Sequence, residues 1–127
     1  MNPVWLGEAV LLAMHGRLLS EHGGAEGIRS SSSFESALAR PQNLLAYDNP
    51  DICDLAAAYT TGIIRNHPFV DGNKRTGFMA GYAFLASNGL QLMADELDVV
   101  RVVTLLAASE IDETEFAAWL RKNCESV

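Results

Sequence analysis

Cysteine is scarce in this sequence, with only Cys53 and Cys124 among 127 residues. Two cysteines cannot staple a disulfide-dependent domain, and neither has the neighbouring pattern of a metal site or a nucleophile. Both are expected to be free, inert thiols. No apolar run approaches the roughly 20 residues that cross a bilayer. Glu8 also breaks the early apolar stretch before it resembles a secretory signal. A cytoplasmic protein with no membrane partner is therefore expected. Positive charge is scarce too: nine Lys and Arg against 16 Asp and Glu leave a formal net charge of −7. The corresponding pI near 4.8 argues against broad, charge-driven binding to nucleic acid. There are no repeats, no low-complexity tracts and no linker, so residues 1–127 read as one domain.

What is present is enough apolar material, 49% of residues, to fill one core. The spacing of Trp5, Leu6, Ala9, Val10, Ala13 and Met14 predicts a helix over 3–19, stopped by Gly23-Gly24. Its histidines, His15 and His22, are expected to be structural or surface residues. After a Gly- and Ser-rich loop over 23–33, Ser32 and Glu35 fit a capping box that opens a short helix. That helix is expected to end near Arg40, because the residue before Pro41 is pushed away from helical angles. Residues 41–50, bounded by two prolines, read as an extended flap or an irregular connector. Asp51, with Asp54 three positions on, caps a helix that must stop by His67-Pro68. A further helix over 75–87 is expected to bury Phe78, Met79, Tyr82 and Leu85, with small residues at Gly77, Ala80, Gly81 and Ala83 admitting close neighbours. Leu90-Gln91-Leu92 reads as briefly extended. Helices over 95–108 and from Asp112 onward complete a compact all-α bundle.

The chemistry is concentrated between two of these helices, in His67-Pro68-Phe69-Val70-Asp71-Gly72-Asn73-Lys74-Arg75-Thr76-Gly77. The second helix points its unpaired N–H groups and positive dipole end into the turn, which makes an anion site. Gly72 allows close approach of a ligand to the backbone, and Lys74 and Arg75 add full charges suited to phosphate. Asp71 fits an anion site when a divalent cation such as Mg²⁺ bridges it to phosphate oxygens. Asn73 is available to bond phosphate or to fix the loop, and Phe69 is expected to plug inward. His67, at the entrance of the loop, is the residue type best suited to act as a general base. These residues support metal-dependent transfer from a nucleoside triphosphate to a hydroxyl. Taken singly, Asp71-Gly72-Asn73 reads equally as a turn, Arg75 as a surface charge and His67 as a helix C-cap. No G-x-x-x-x-G-K-[ST] loop is present, and one histidine beside one carboxylate is too little for a metallohydrolase.

His67, Phe69, Asp71, Gly72, Asn73 and Arg75 match the Fic motif H-x-F-x-[DE]-G-N-G-R-x-x-R. Lys74 replaces its second glycine and Phe78 its last arginine, as in the Doc (death-on-curing) branch with H-x-F-x-[DN]-x-N-K-R. Leu12-Ala13-Met14-His15, His22-Gly23-Gly24 and Glu35-Ser36-Ala37-Leu38-Ala39-Arg40-Pro41 also resemble Doc sequences, so the likeness covers nearly the whole chain. The resemblance implies a Fic-fold helical bundle with the motif loop between two central helices, and a toxin of a toxin–antitoxin pair. It implies ATP as substrate with Mg²⁺ on Asp71, His67 as base, and Gly72, Asn73, Lys74 and Arg75 around the phosphates. It places the proline-bounded stretch 41–50 where the family has a flap that aligns the target peptide.

Typical Fic proteins transfer AMP to hydroxyl side chains. Doc transfers the γ-phosphate of ATP to a threonine of elongation factor Tu and stops translation. Lys74 fills space that a diphosphate would occupy, and Phe78 removes a clamp, so the reversed nucleotide of the Doc branch is the expectation. AMP transfer and a catalytically silent binding module remain the alternatives. The Fic inhibitory pattern [ST]-x-x-x-E-[GN] is not matched, since His22 stands at its first position before Glu26-Gly27. Restraint is expected from a separate antitoxin whose C-terminal segment folds onto the toxin.

Overall fold

Eleven of the fifteen residues of one helix, Ile52–Asn66, are buried, including every position from Leu55 to Ile64. A helix with no solvent face is the axis of a bundle. In the computed structural model, which describes residues 1–127, it is the third of six helices. In chain order these are α1 (Glu8–His22), α2 (Ser31–Tyr47), α3 (Ile52–Asn66), α4 (Asn73–Ser87), β1 (Leu90–Leu92), α5 (Glu96–Ala107), α6 (Glu113–Asn123) and β2 (Cys124–Ser126). Helices α2, α4 and α6 pack around α3, and α5 lies against α3 and α4. The all-α expectation holds. The short antiparallel pair of β1 and β2, in register Leu90↔Ser126 to Leu92↔Cys124, is the addition. No helix is long and apolar enough to cross a membrane.

The acidic caps read from sequence are present. Asp51 and Asp54 form a reciprocal box at the start of α3, and Asp112 and Glu115 do the same for α6. Asp95 accepts from the Asp98 amide at 3.0 Å to open α5. Helix α1 begins at Glu8, later than expected. The preceding residues are instead held by Leu6, whose amide donates to the Tyr59 hydroxyl at 3.1 Å, and by Trp5, stacked on Phe84.

Helix α2 departs most from the sequence reading. Its cap is Ser30, whose hydroxyl accepts from the Ser33 amide, so Ser32 and Glu35 form no capping box. It also continues through Pro41 to Tyr47, which removes the expected stop at Arg40 and any extended flap over 41–50. The reason is an apolar stripe at helical spacing, Phe34, Ala37, Leu38, Pro41, Leu44 and Leu45, that packs on the core from both sides of the proline. Proline inside a helix costs about 3 kcal/mol by losing a hydrogen bond and crowding the preceding turn. Leu44 and Leu45 beyond it are half-buried, and with about 1.5–3 kcal/mol for full burial of such a side chain they offset a good part of that cost.

Helix α4 presents its small face to α3. Thr76, Gly77, Ala80, Gly81, Phe84 and Leu85 are buried, whereas Phe78, Met79 and Tyr82, expected inside, are only half-buried. A Cβ at Gly77 would lie 3.1 Å from the Thr60 carbonyl oxygen, and one at Gly81 would overlap the Thr60 hydroxyl. Thr60 Oγ1 donates to the Gly77 carbonyl at 2.8 Å across this contact. Both cysteines are free, and burial pushes the Cys53 thiol up to about 12, which keeps it protonated and unreactive at neutral pH.

Gly81→Ala should therefore destabilise the protein by about 1–3 kcal/mol through overpacking, read from urea unfolding. Gly16→Ala on α1, with nothing within 4 Å of its added methyl, should stabilise by about 0.5–1 kcal/mol. At the far end of α3, Arg121 bonds Asp51 at 2.7 Å and Asp54 at 3.0 Å. Its guanidinium holds the Asp51 carboxyl below the ordinary value of 3.8. A lowered folded-state value stabilises above the unfolded one and is lost as pH falls through the folded one. Arg121→Met should cost under about 1 kcal/mol near neutrality, because the pair is exposed. In acid unfolding that difference should shrink as pH falls below the ordinary carboxylate value and vanish below the lowered value of folded Asp51.

Candidate active site

The loop joining α3 to α4 is fixed from inside. Phe69 is fully buried, as expected of an inward plug, with the His15 ring stacked on it at 3.8 Å and 9° and Phe34 tilted against it at 5.6 Å. Asn73, itself buried, accepts from the Phe69 amide and donates to the Phe69 carbonyl, both at 3.0 Å. Each end of its carboxamide makes one of these bonds. Of the two roles expected for Asn73, the structure displays loop fixation, and its main-chain N–H at the start of α4 is a further donor for a phosphate.

A second strand of contacts comes from the segment between α1 and α2. Ile28 forms an antiparallel bridge with Phe69, and the Val70 amide donates to the Gly27 carbonyl at 3.0 Å. The Arg29 and Ser30 amides donate to the Pro68 carbonyl at 2.7 and 3.2 Å. The Arg29 side chain donates to the carbonyls of Asn66 and His67 at 2.9 and 2.6 Å. His15 donates from Nε2 to the Asp71 carbonyl at 2.8 Å, which places a proton on that nitrogen. None of these holding residues was evident from sequence. His15 was expected to be a structural or surface residue, and its grip on a residue 56 positions away leaves no local signal. Arg29 lies in a Gly- and Ser-rich loop with no motif around it.

The reactive groups face outward from this clamp. His67 caps α3 in the left-handed conformation, with φ 51° and ψ 53°, and its side chain is exposed. Gly72 caps α4 at φ 78° and has no side chain with which to cap the first turn. The amides of that turn therefore remain available to an anion, reinforced by the helix dipole. Lys74 and Arg75 are exposed there, and neither takes part in a salt bridge. A cavity of about 680 Å³ brings His67, Asp71, Gly72, Asn73, Lys74 and Arg75 together. Every site residue expected from sequence lines it. Phe78 lines it too, beside a largely apolar stretch of α5, Val99, Val100, Val103, Thr104 and Ala107, that was not anticipated.

Asp71 is restrained without being saturated. Its Oδ1 accepts from the Gly72 amide at 2.8 Å and its Oδ2 from the Ala25 amide at 3.3 Å. Gly24 takes φ 129°, a conformation that favours glycine, and a Cβ there would lie 2.9 Å from Oδ2 and displace it. A carboxylate offers about four lone-pair sites, so two main-chain bonds leave capacity for a cation. No group of three or more His, Cys, Asp and Glu side chains forms an all-protein metal site. The donor set fits a hard divalent ion such as Mg²⁺ that draws its remaining oxygens from phosphate and water.

A sequence model described as the Fic/DOC family matches residues 5–85. Among similar proteins, the Toxin Doc of Mycolicibacterium smegmatis is 41% identical over 105 residues, covering 77% of this chain and 78% of its own. The Protein kinase doc of Escherichia phage P1 is 31% identical over 113 residues, covering 88% of this chain and 89% of its own. Family match, relatives and helical architecture agree with a motif loop between α3 and α4, and the chain belongs to the Fic/DOC family.

Proposed function

We propose that this chain is a toxin that acts as a Mg²⁺-dependent protein kinase, moving the γ-phosphate of ATP to a Ser or Thr hydroxyl of a translation factor such as elongation factor Tu. The observation that carries the reading is the shared cavity: a histidine, a restrained carboxylate, two unpaired cations and an uncapped helix start line one space. The relatives named Toxin Doc and Protein kinase doc support the toxin and kinase assignments. Phe78 on the cavity wall supports γ-transfer over AMP transfer, because it puts an apolar ring where AMP-transferring relatives are expected to carry a second cation.

In this reading His67, as neutral imidazole, accepts the proton of the attacking hydroxyl. The hydroxyl oxygen bonds to the γ-phosphorus, the bond from that phosphorus to the β–γ bridging oxygen breaks, and ADP leaves. Lys74, Arg75 and the first-turn amides of α4 stabilise the charge on the transferring group. Asp71 would hold Mg²⁺, which would supply charge neutralisation at the transferring group. Gly72 lets the phosphates approach the backbone. A separate antitoxin, through a C-terminal segment that folds on binding, is the proposed restraint, and neither nucleic acid nor membrane is part of the function.

Incubation with elongation factor Tu and ATP labelled at either the γ- or the α-phosphate distinguishes the chemistries. Label should transfer only from the γ position; transfer from the α position would make the protein a nucleotidyltransferase. His67→Ala should lower the rate roughly 10²- to 10⁴-fold and relieve growth arrest. Growth arrest that survives His67→Ala would point to a silent binding module. Asp71→Ala should abolish Mg²⁺-dependent ATP binding by calorimetry, and an unchanged titration would remove Asp71 from that role.

A further inference from the structure

Arg29 does not line the cavity, yet it is the one side chain that grips the main chain of the proposed base. Its Nε donates to the His67 carbonyl at 2.6 Å and its Nη2 to the Asn66 carbonyl at 2.9 Å. These are two of the carbonyls that the end of α3 leaves without intrahelical partners. A fixed guanidinium fork spans two neighbouring acceptors in a way that a single ammonium cannot. The cation also sits at the negative end of the α3 dipole, where positive charge is favoured.

His67 needs this hold because of its backbone. It is one of only two non-glycine residues with positive φ, the other being Ser109. Left-handed geometry is costly for a residue with a Cβ, and it persists where surrounding contacts enforce it. One short segment contacts this stretch residue by residue: Arg29 through its side chain on residues 66 and 67, its own amide and that of Ser30 on Pro68, and Ile28 through the bridge to Phe69, which Asn73 also holds. The backbone bonds hold the residues after His67. At His67 itself the N–H closes the end of α3 on the Ile63 carbonyl at 3.1 Å, and the guanidinium is the one side chain that bonds its carbonyl.

We propose that Arg29 is a positioning residue for His67. By fixing the His67 carbonyl in left-handed geometry, it sets where the imidazole enters the cavity, without touching substrate. The anion side of the cavity, built from the α4 start with Lys74 and Arg75, does not depend on this contact. Arg29 should therefore govern the rate of the chemical step and leave nucleotide affinity alone. The inference rests on the proposed role of His67 as base, so its test carries a readout independent of transfer.

Arg29→Ala and Arg29→Lys in the full chain, compared with the unsubstituted protein, provide that test. In isotope-labelled protein, backbone chemical shifts and residual dipolar couplings at His67 should show φ leaving the positive range in Arg29→Ala. In the labelled-ATP assay, kcat should fall about 10- to 100-fold, the scale expected when a reacting group is misplaced by about an ångström. KM for ATP should stay within about twofold. Added guanidinium ion should restore part of the Arg29→Ala loss, and Arg29→Lys should retain a rate between the two. A His67 backbone unchanged in Arg29→Ala would overturn the proposal, whatever the assay reads. Equal loss of kcat and nucleotide affinity, or full activity in Arg29→Lys, would also overturn it, since either would reduce Arg29 to a general structural contact. Absence of transfer from ATP in the unsubstituted protein would defeat the kinase reading alone, and the backbone measurement would still decide the hold of Arg29 on His67.

Discussion

The pair of hydrogen bonds between the Asn73 carboxamide and the main chain of Phe69 is the constraint on which the site depends. Phe69 is buried with its ring in the core, so its amide and carbonyl cannot turn to water. An unpartnered buried group of this kind costs about 1–3 kcal/mol. Because Asn73 is also the first residue of α4, satisfying those two groups ties the inward plug to the helix start. His67 on one side of the plug and the α4 amides on the other are thereby brought to the same cavity. The clamp from the α1–α2 segment adds the outer half of this restraint, bonding to Asn66, His67, Pro68, Val70 and Asp71.

Charge is distributed to the same end. Arg17, Arg40, Arg101 and Arg121 are paired with carboxylates, and Arg29 is engaged by helix carbonyls. Lys74 and Arg75, in the cavity, have no acidic partner. In a chain of formal net charge −7, an unpaired cationic spot over a helix N-terminus favours a compact anion with its own counterion over an extended polyanion. The apolar wall from α5 gives the rest of the cavity a different character, suited to the less polar part of a ligand.

Much of this was legible because local chemistry decided it. Asp51, Asp95 and Asp112 announce helix starts through bonds to residues three positions on. The end of α3 follows from His67-Pro68, and the polar loop follows from its own residue types. What sequence could not supply was settled by contacts between distant residues. Pro41 reads as a helix stop until Leu44 and Leu45 are seen to continue the buried stripe of Phe34 and Ala37. The larger residues of α4 look like its core face until the close approach to Thr60 selects Gly77 and Gly81. Asn73 reads equally as phosphate ligand or as fastener until Phe69 is placed. His15 and Arg29 act across 56 and 38 positions, beyond any periodicity argument.

The central claim is that a base and an anion-binding helix start share one ligand. It is tested most directly by titrating isotope-labelled protein with ATP and magnesium while following amide and imidazole resonances. The account predicts that the amides of Asn73, Lys74 and Arg75 and the ring of His67 shift together and saturate at one common concentration. Saturable shifts centred elsewhere, with these four groups unmoved, would contradict it.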